Sequence, residues 1–321
     1  MEKKRLKFVQ IFKNVSPIFV IKNRKNKNRS VKEKKIQDVN LGEYKIDIEF
    51  SAPELDAYDL RTLIYLAANV NVKDEELRVL ESLDDNELME ALGLKLQPLQ
   101  RGKFSKVIRF ETSWNQILSD LGLIYHSDNI SKIKQSLKYL HMSVVTLKVK
   151  DAKTNRTKLE LTSSLLMFHA DILPEDRRNN KIVLLFSPFF YLVKFRETIY
   201  KSTVNIEVFQ KLFEIEANMP IVYYVLCDNV DFGKEKEFTV QDLELLCYGN
   251  VTKDRRAKSK RRKFLLKTLQ EIERLSDGSF TIKIDQKEDK IKVKRIPDRK
   301  IPGKQEDKKV NNEIKSISKC K

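Results

Sequence analysis

Glycine and proline are scarce in this chain, eight of each among 321 residues, which leaves little low-complexity linker and predicts a well-ordered middle. Cysteine is scarcer: Cys227, Cys247 and Cys320 form an odd, scattered set with no C-x-x-C spacing, so neither a disulfide framework nor a zinc site follows. No apolar run approaches the ~18 to 20 residues that span a bilayer, and residues 1–10 are too charged for a secretory signal. The reading is of a soluble, cytoplasmic chain with no membrane partner. Histidine is limited to His126, His141 and His169, none paired with another one residue away. A rolling-circle nuclease or relaxase needs such a pair to hold metal beside a nucleophilic tyrosine, so each histidine reads as structural. Gly102-Lys103, Gly233-Lys234 and Gly303-Lys304 do not continue as G-x-x-x-x-G-K-[ST], which excludes a P-loop motor. Asp84, Asp85 and Glu87 read as a solvated acidic run and not as a Mg²⁺ site. No catalytic residue, metal or cofactor is expected, and the chain does not read as an enzyme.

What is present is positive charge. Lys and Arg number 63 against 46 Asp and Glu, a formal net charge of +17, so a polyanion is the first partner to consider. A length of 321 residues with 41% hydrophobic content suits two modest packed domains. Residues 1–40 carry recurring basic side chains, including Lys22, Arg24, Lys25, Lys27, Arg29, Lys32, Lys34 and Lys35, and read as a flexible cationic arm. Residues 297–321 are charged, with few large apolar side chains to offset the entropy of ordering, and read as a disordered tail.

Between these ends, two segments repeat one order of elements. In residues 41–198, Ser51 and Pro53 open a helix whose Leu60, Leu63, Ile64, Ala67 and Ala68 follow the 3.6-residue period. An acidic stretch at residues 74–90 intervenes. A strand at residues 106–111 then leads to Ser113, a helix cap with Gln116 three residues on, and that helix stops at Gly122. A helix over residues 128–141 places Ile130, Ile133, Leu137 and Leu140 on one side and Lys132, Lys134 and Lys138 on the other. Strands at residues 143–150 and 158–166 flank a polar turn as a hairpin. In residues 199–296 the scheme recurs. Helices fall at residues 205–215 and 220–229, followed by Phe238, the cap Thr239 with Asp242, and a short helix to Gly249. A long helix over residues 253–275, the turn Asp277-Gly278 and strands at residues 280–284 and 290–295 complete it. The fold class is α+β: two tandem winged-helix domains, each a helix-turn-helix plus β-hairpin, with disordered basic termini. Phe189, Phe190, Tyr191 and Phe195 read as core at the junction and Tyr223 and Tyr224 as helix packing, although stacking on single-stranded nucleic acid is the other use of such rings.

The densest positive field lies in the long helix. Lys253, Arg255, Arg256, Lys258, Lys260, Arg261, Arg262, Lys263 and Lys267 are opposed within that stretch by Asp254 alone. Leu265, Leu269, Ile272 and Leu275 anchor its C-terminal half. Carrying the period backwards puts Lys253, Arg256, Lys260, Lys263 and Lys267 on the opposite face, flanked by Arg255, Ser259 and Arg262. A recognition helix needs this division, one half locked in a core and the other free for the major groove. Lys132, Lys134 and Lys138 carry a weaker signal, backbone contact at most, since ordinary exposed helices hold that many lysines.

The stretches "LDAYDLRTLIYLAANV", "NISKIKQSLKYLHMSVVTLKV", "FTVQDLELLCYG" and "RRAKSKRRKFLLKTLQEIERL" resemble the iteron-binding plasmid replication initiators, a family built from two tandem winged-helix domains. The resemblance spans residues 41–295. It implies that the C-terminal domain inserts residues 253–267 into repeated double-stranded origin DNA, while the N-terminal domain touches backbone and forms a dimer interface. It further implies a monomer-dimer equilibrium in which monomers open the origin and recruit a host replicative helicase or initiator proteins. The acidic stretch and the longer basic arm depart from that pattern. Two other readings stay open: a winged-helix transcription repressor, and a single-strand-binding replication accessory protein.

Overall fold

A computed structural model describes residues 8–12, 18–22, 29, 31–41, 44–69, 108–164, 166–170, 181–186, 201–285 and 289–296. Strand β1 (Phe8–Phe12) is followed by an antiparallel pair, β2 (Val31–Leu41) and β3 (Tyr44–Pro53), with a bulge between Lys35 and Gln37. Helix α1 (Ala57–Asn69) starts four residues after β3, later than Ser51 or Pro53. The reason is local: Asp56 Oδ1 accepts from the Tyr58 and Asp59 amides while Asp59 Oδ2 accepts from the Asp56 amide at 2.8 Å. This reciprocal cap fixes the start. Strand β4 (Ile108–Ser113) runs into α2 (Trp114–Asp120), capped by Ser113 Oγ accepting from the Gln116 amide. Helix α3 (Ser127–His141) buries Ile133, Leu137 and Leu140 as its period requires. Strands β5 (Val144–Asp151) and β6 (Thr157–Ser164) form the expected hairpin.

Strands β7 (Leu166–Ala170), β8 (Lys181–Phe186) and β9 (Lys201–Asn205) lead to α4 (Ile206–Ile215) and α5 (Met219–Asn229). Then come β10 (Glu235–Thr239), α6 (Val240–Tyr248), α7 (Arg255–Leu275), β11 (Phe280–Asp285) and β12 (Lys290–Arg295). The strands make four small antiparallel sheets in the orders β2-β3-β5-β6, β4-β8-β7, β1-β9 and β10-β12-β11. The molecule is thus a mixed α+β protein.

From β4 to β6 and from β10 to β12 the two segments share the order strand, helix, helix, hairpin, and they differ in pairing. In the C-terminal one, β10 joins its own hairpin, Phe238 opposite Ile291. In the N-terminal one, β4 pairs with β8, while β3 adds to the β5 side of the hairpin, Ser51 opposite Val144 through Tyr44 opposite Asp151, and β6 is left as an edge strand. Equivalence of the halves therefore stops at the backbone hydrogen bonds.

The flexible arm expected over residues 1–40 is corrected. β1 pairs with β9, and β2 is the outer strand of the four-stranded sheet. Ile18, Phe19 and Val20 are fully buried, bonded to Leu55 by the Val20 amide at 2.8 Å and to Cys247 by the Ile21 amide at 2.7 Å. The Arg29 side chain is also buried. Its guanidinium meets Asp56 at 2.8 Å and Asp59, donates to the Glu54 carbonyl and lies 3.8 Å from the Tyr139 ring centroid. Burial lowers its pKa and the Asp59 and Asp56 charges more than offset that, so it stays charged. Two acids and an aromatic ring give this arginine enough to leave water.

The expected acidic stretch at 74–90, the aromatic cluster at 189–195 and the tail at 297–321 lie outside the described residues. Tyr223 and Tyr224 are buried in α5, as packing residues. His126 caps α3 by accepting from the Asp128 amide, and His141 Nδ1 meets the Leu166 carbonyl at 2.8 Å. Among the described residues no helix is long and apolar enough to cross a membrane.

Candidate nucleic-acid interface

The candidate surface is centred on α7. Gly249 ends α6 at φ +72°, a left-handed conformation that suits glycine, and so turns the chain toward α7. The reciprocal box between Thr239 and Asp242 fixes the other end of α6. Asp254 Oδ1 then accepts from the Ala257 amide at 2.8 Å and starts α7. Beyond its midpoint the helix is locked down: Leu265, Thr268, Leu269 and Ile272 are buried, and Glu273 accepts from the Ile282 amide of β11 at 2.9 Å. The C-terminal half belongs to the core, as the sequence pattern requires, except that Leu275 is only partly buried.

The basic side chains of the N-terminal half fall into two groups. Lys253, Arg255, Arg256, Lys258, Ser259, Lys260 and Lys263 are exposed, and the six cations among them have no acidic partner among the described residues. The others are tied. Arg261 turns back onto Glu244, a carboxylate 2% exposed, at 2.8 Å, onto the Asn250 carbonyl and amide oxygens, and over the Tyr248 ring at 4.3 Å. Glu244 also accepts from the Thr252 amide at 3.0 Å, so one buried carboxylate holds both the turn and the helix. Arg262 pairs with Asp289 in the turn between β11 and β12, and Lys267 lies 3.8 Å from Glu216.

Stepping back four and three residues from Leu265 gives Arg261 and Arg262, so the helical period itself turns these two toward the protein. That signal is in the sequence, where the summed charge of the stretch outweighed it.

The sheet beside α7 contributes lysines that the sequence reading did not single out. Lys290, Lys292 and Lys294 alternate with the inward residues Ile291, Val293 and Arg295, and Lys283 faces Lys292 across the ladder. Glu237 stands beside Lys292, Glu235 opposite Lys294 and Asp285 opposite Lys290, which nearly balances that face. Among the described residues of this segment, uncompensated positive charge is concentrated on α7. The α3 lysines differ again: Lys132 lies 5.5 Å from the Tyr58 ring centroid and Lys134 5.1 Å from that of Trp114, while Lys138 is exposed.

A cleft of about 550 Å³ lies beside Arg261, lined also by Lys22, Asp56, Tyr58, Asn218 and Tyr248. Its two cations are already engaged, Lys22 by Glu54 and Arg261 by Glu244. Cys227 and Cys247 are buried free thiols whose pKa values burial pushes up, which leaves them inert. Among the described residues no group of His, Cys, Asp and Glu is placed to hold a metal ion.

Fold and surface define an α+β protein of small sheets that presents one strongly cationic half-helix. The chain belongs to the family described as a domain of unknown function, DUF1368, whose model matches residues 3–300. No curated protein matches it. Among solved structures it is similar to domains 2 and 3 of RctB, in a selenomethionine crystal form at 11% identity and TM-score 0.45, covering 87% of this chain and 95% of that one. A second crystal structure of RctB domains 2–3 gives 12% identity and TM-score 0.44, covering 88% and 96%.

Proposed function

We propose that this protein binds double-stranded DNA without catalysing a reaction and acts as a replication initiator at repeated sites. The supporting observation is the division of α7: a half anchored by Leu265, Leu269 and Ile272, and a half that exposes six cations with no acidic partner among the described residues. Cations that no internal acid neutralises suit phosphate backbone, and arginines at a helix N-terminal end suit base edges in the major groove. The short helix, glycine turn, long helix and hairpin around them are the parts of a winged helix. On this reading Arg255 and Arg256 read bases, Lys253, Lys258, Lys260 and Lys263 contact phosphates, and Arg261 sets the helix angle. Lys132, Lys134 and Lys138 lend backbone contact. Recruitment of a host helicase and a monomer-dimer equilibrium belong to the same proposal, through the resemblance to plasmid initiators.

Gel-shift binding to fragments flanking the protein's own gene, against random duplex and single-stranded competitors, is the test. Discrete shifts on repeated sites that random duplex does not displace are expected, with log affinity falling linearly in log salt at ~0.9 per phosphate contacted. Replacing Arg255, Arg256 and Arg262 together is expected to abolish the preference for those sites. Replacing Lys132, Lys134 and Lys138 is expected to weaken all duplexes evenly. A flat salt response, or preference for single strands, would refute the reading.

A further inference from the structure

The pairing of Arg262 with Asp289 differs from that of Arg261 with the buried Glu244 in lying at the surface. Both side chains are about two-fifths exposed, 38% and 43%, and an ion pair so open to water adds little to stability. Nor does backbone geometry call for an acid. Asp289 sits at φ +55°, a conformation that Asn or Gly would accept equally well without a charge. What the carboxylate does is electrostatic: it neutralises Arg262, on a helix whose exposed cations Arg255 to Lys260 and Lys263 have no such acid among the described residues.

Resting on the duplex-binding reading above, we propose that Asp289 is a specificity-determining residue. Its carboxylate holds Arg262 back from the phosphate backbone, so random duplex gains no contact from that arginine. Any DNA that recruits Arg262 must break its pair with Asp289, and a guanine edge held in register by the neighbouring α7 contacts offers two acceptors in the geometry of the guanidinium fork. Discrimination here comes from a repulsive element beside the attractive ones.

The experiment compares wild type, Asp289→Asn, Asp289→Gly, Arg262→Ala and the double variant Arg262→Ala/Asp289→Asn. Each is titrated with a random-sequence duplex and with a duplex carrying the repeats that flank the gene, across a salt series. Both Asp289 variants are expected to bind random duplex roughly 5- to 8-fold more tightly near 0.1 M salt, with a log–log salt slope steeper by about 0.9, as one added phosphate contact requires. The ratio of affinities between repeats and random duplex should fall. The gain should vanish in the double variant, because it runs through Arg262. Thermal midpoints of all variants show whether the pair is merely structural: a lowered midpoint with unchanged random-duplex affinity overturns the inference. If wild type binds no duplex, the DNA reading and this inference fall together. If wild type binds and the Asp289 variants match it, this inference alone falls.

Discussion

Among the described residues, three arginines have side chains largely withdrawn from water, one held by carboxylates and two by backbone carbonyls and aromatic rings. Arg29 has two carboxylates. Arg61, 7% exposed, donates to the Leu121 carbonyl and lies 3.9 Å from the Phe213 ring centroid, and burial pushes its pKa down to about 10. Arg295, 4% exposed, donates to the Cys227 and Val230 carbonyls and to Thr203, and covers Phe232 at 3.9 Å. A count of charges therefore overstates what the surface offers to a polyanion. Arg261 is the partial case, and it yields a sharp expectation. Arg261→Ala leaves Glu244 buried without its cation, so urea denaturation is expected to find the protein about 3 kcal/mol less stable, near the low end for a broken buried pair. The salt slope of DNA binding should hold steady, since Arg261 touches no phosphate on the present reading. A slope that dropped by about 0.9 with stability intact would return Arg261 to the contact surface.

Among the elements, α6 and α7 were the most legible. Thr239 with Asp242, Gly249 and the apolar period from Leu265 onward are local signals, each acting within a turn or two of helix, and the structure places all of them where the sequence does. The start of α1 was misplaced because Ser51 and Pro53 also suit a helix start. Pairing with β2 and β5 claimed those residues for β3 instead, and the Asp56–Asp59 cap took over the start. A test belongs at the same scale. Gly249→Ala forces a side chain into φ +72° and is expected to cost about 1 kcal/mol in chemical denaturation, with DNA affinity lowered because the turn aims α7. No change in either would mean that this turn does not set the helix direction.

For the whole molecule, the N-terminal residues decide how the halves hold together. β1 joins β9, the buried Ile18–Phe19–Val20 stretch bonds Leu55 on one side, and the next residue, Ile21, bonds Cys247 on the other. Phe19 packs edge-on against Tyr224 at 5.6 Å, while Tyr58 of α1 meets Phe213 of α4 in the same manner at 5.2 Å. This seam fixes the N-terminal half against the segment that carries α7. Phe19→Ala removes a fully buried ring from it and is expected to lower stability by about 3 to 5 kcal/mol. Calorimetry should then resolve two transitions where wild type gives one, and a single undivided transition would show that the seam does not couple the halves.

The sequence by itself determined most of the helices, the Ser113 and Thr239 caps, the two hairpins and the helix that concentrates the charge, because propensity, capping and amphipathic period act over a few residues. Only the tertiary structure decided that β4 leaves its hairpin for β8, that Phe8–Phe12 and Val31–Leu41 supply strands, and that Arg29, Arg261 and Arg262 are spent on Asp56, Asp59, Glu244 and Asp289. Apart from the β2–β3 hairpin, those outcomes pair groups from 17 positions apart, Glu244 and Arg261, to 197 apart, Phe8 and Asn205, and whether a given lysine or arginine meets an acid or faces water depends on which distant surface folds against it.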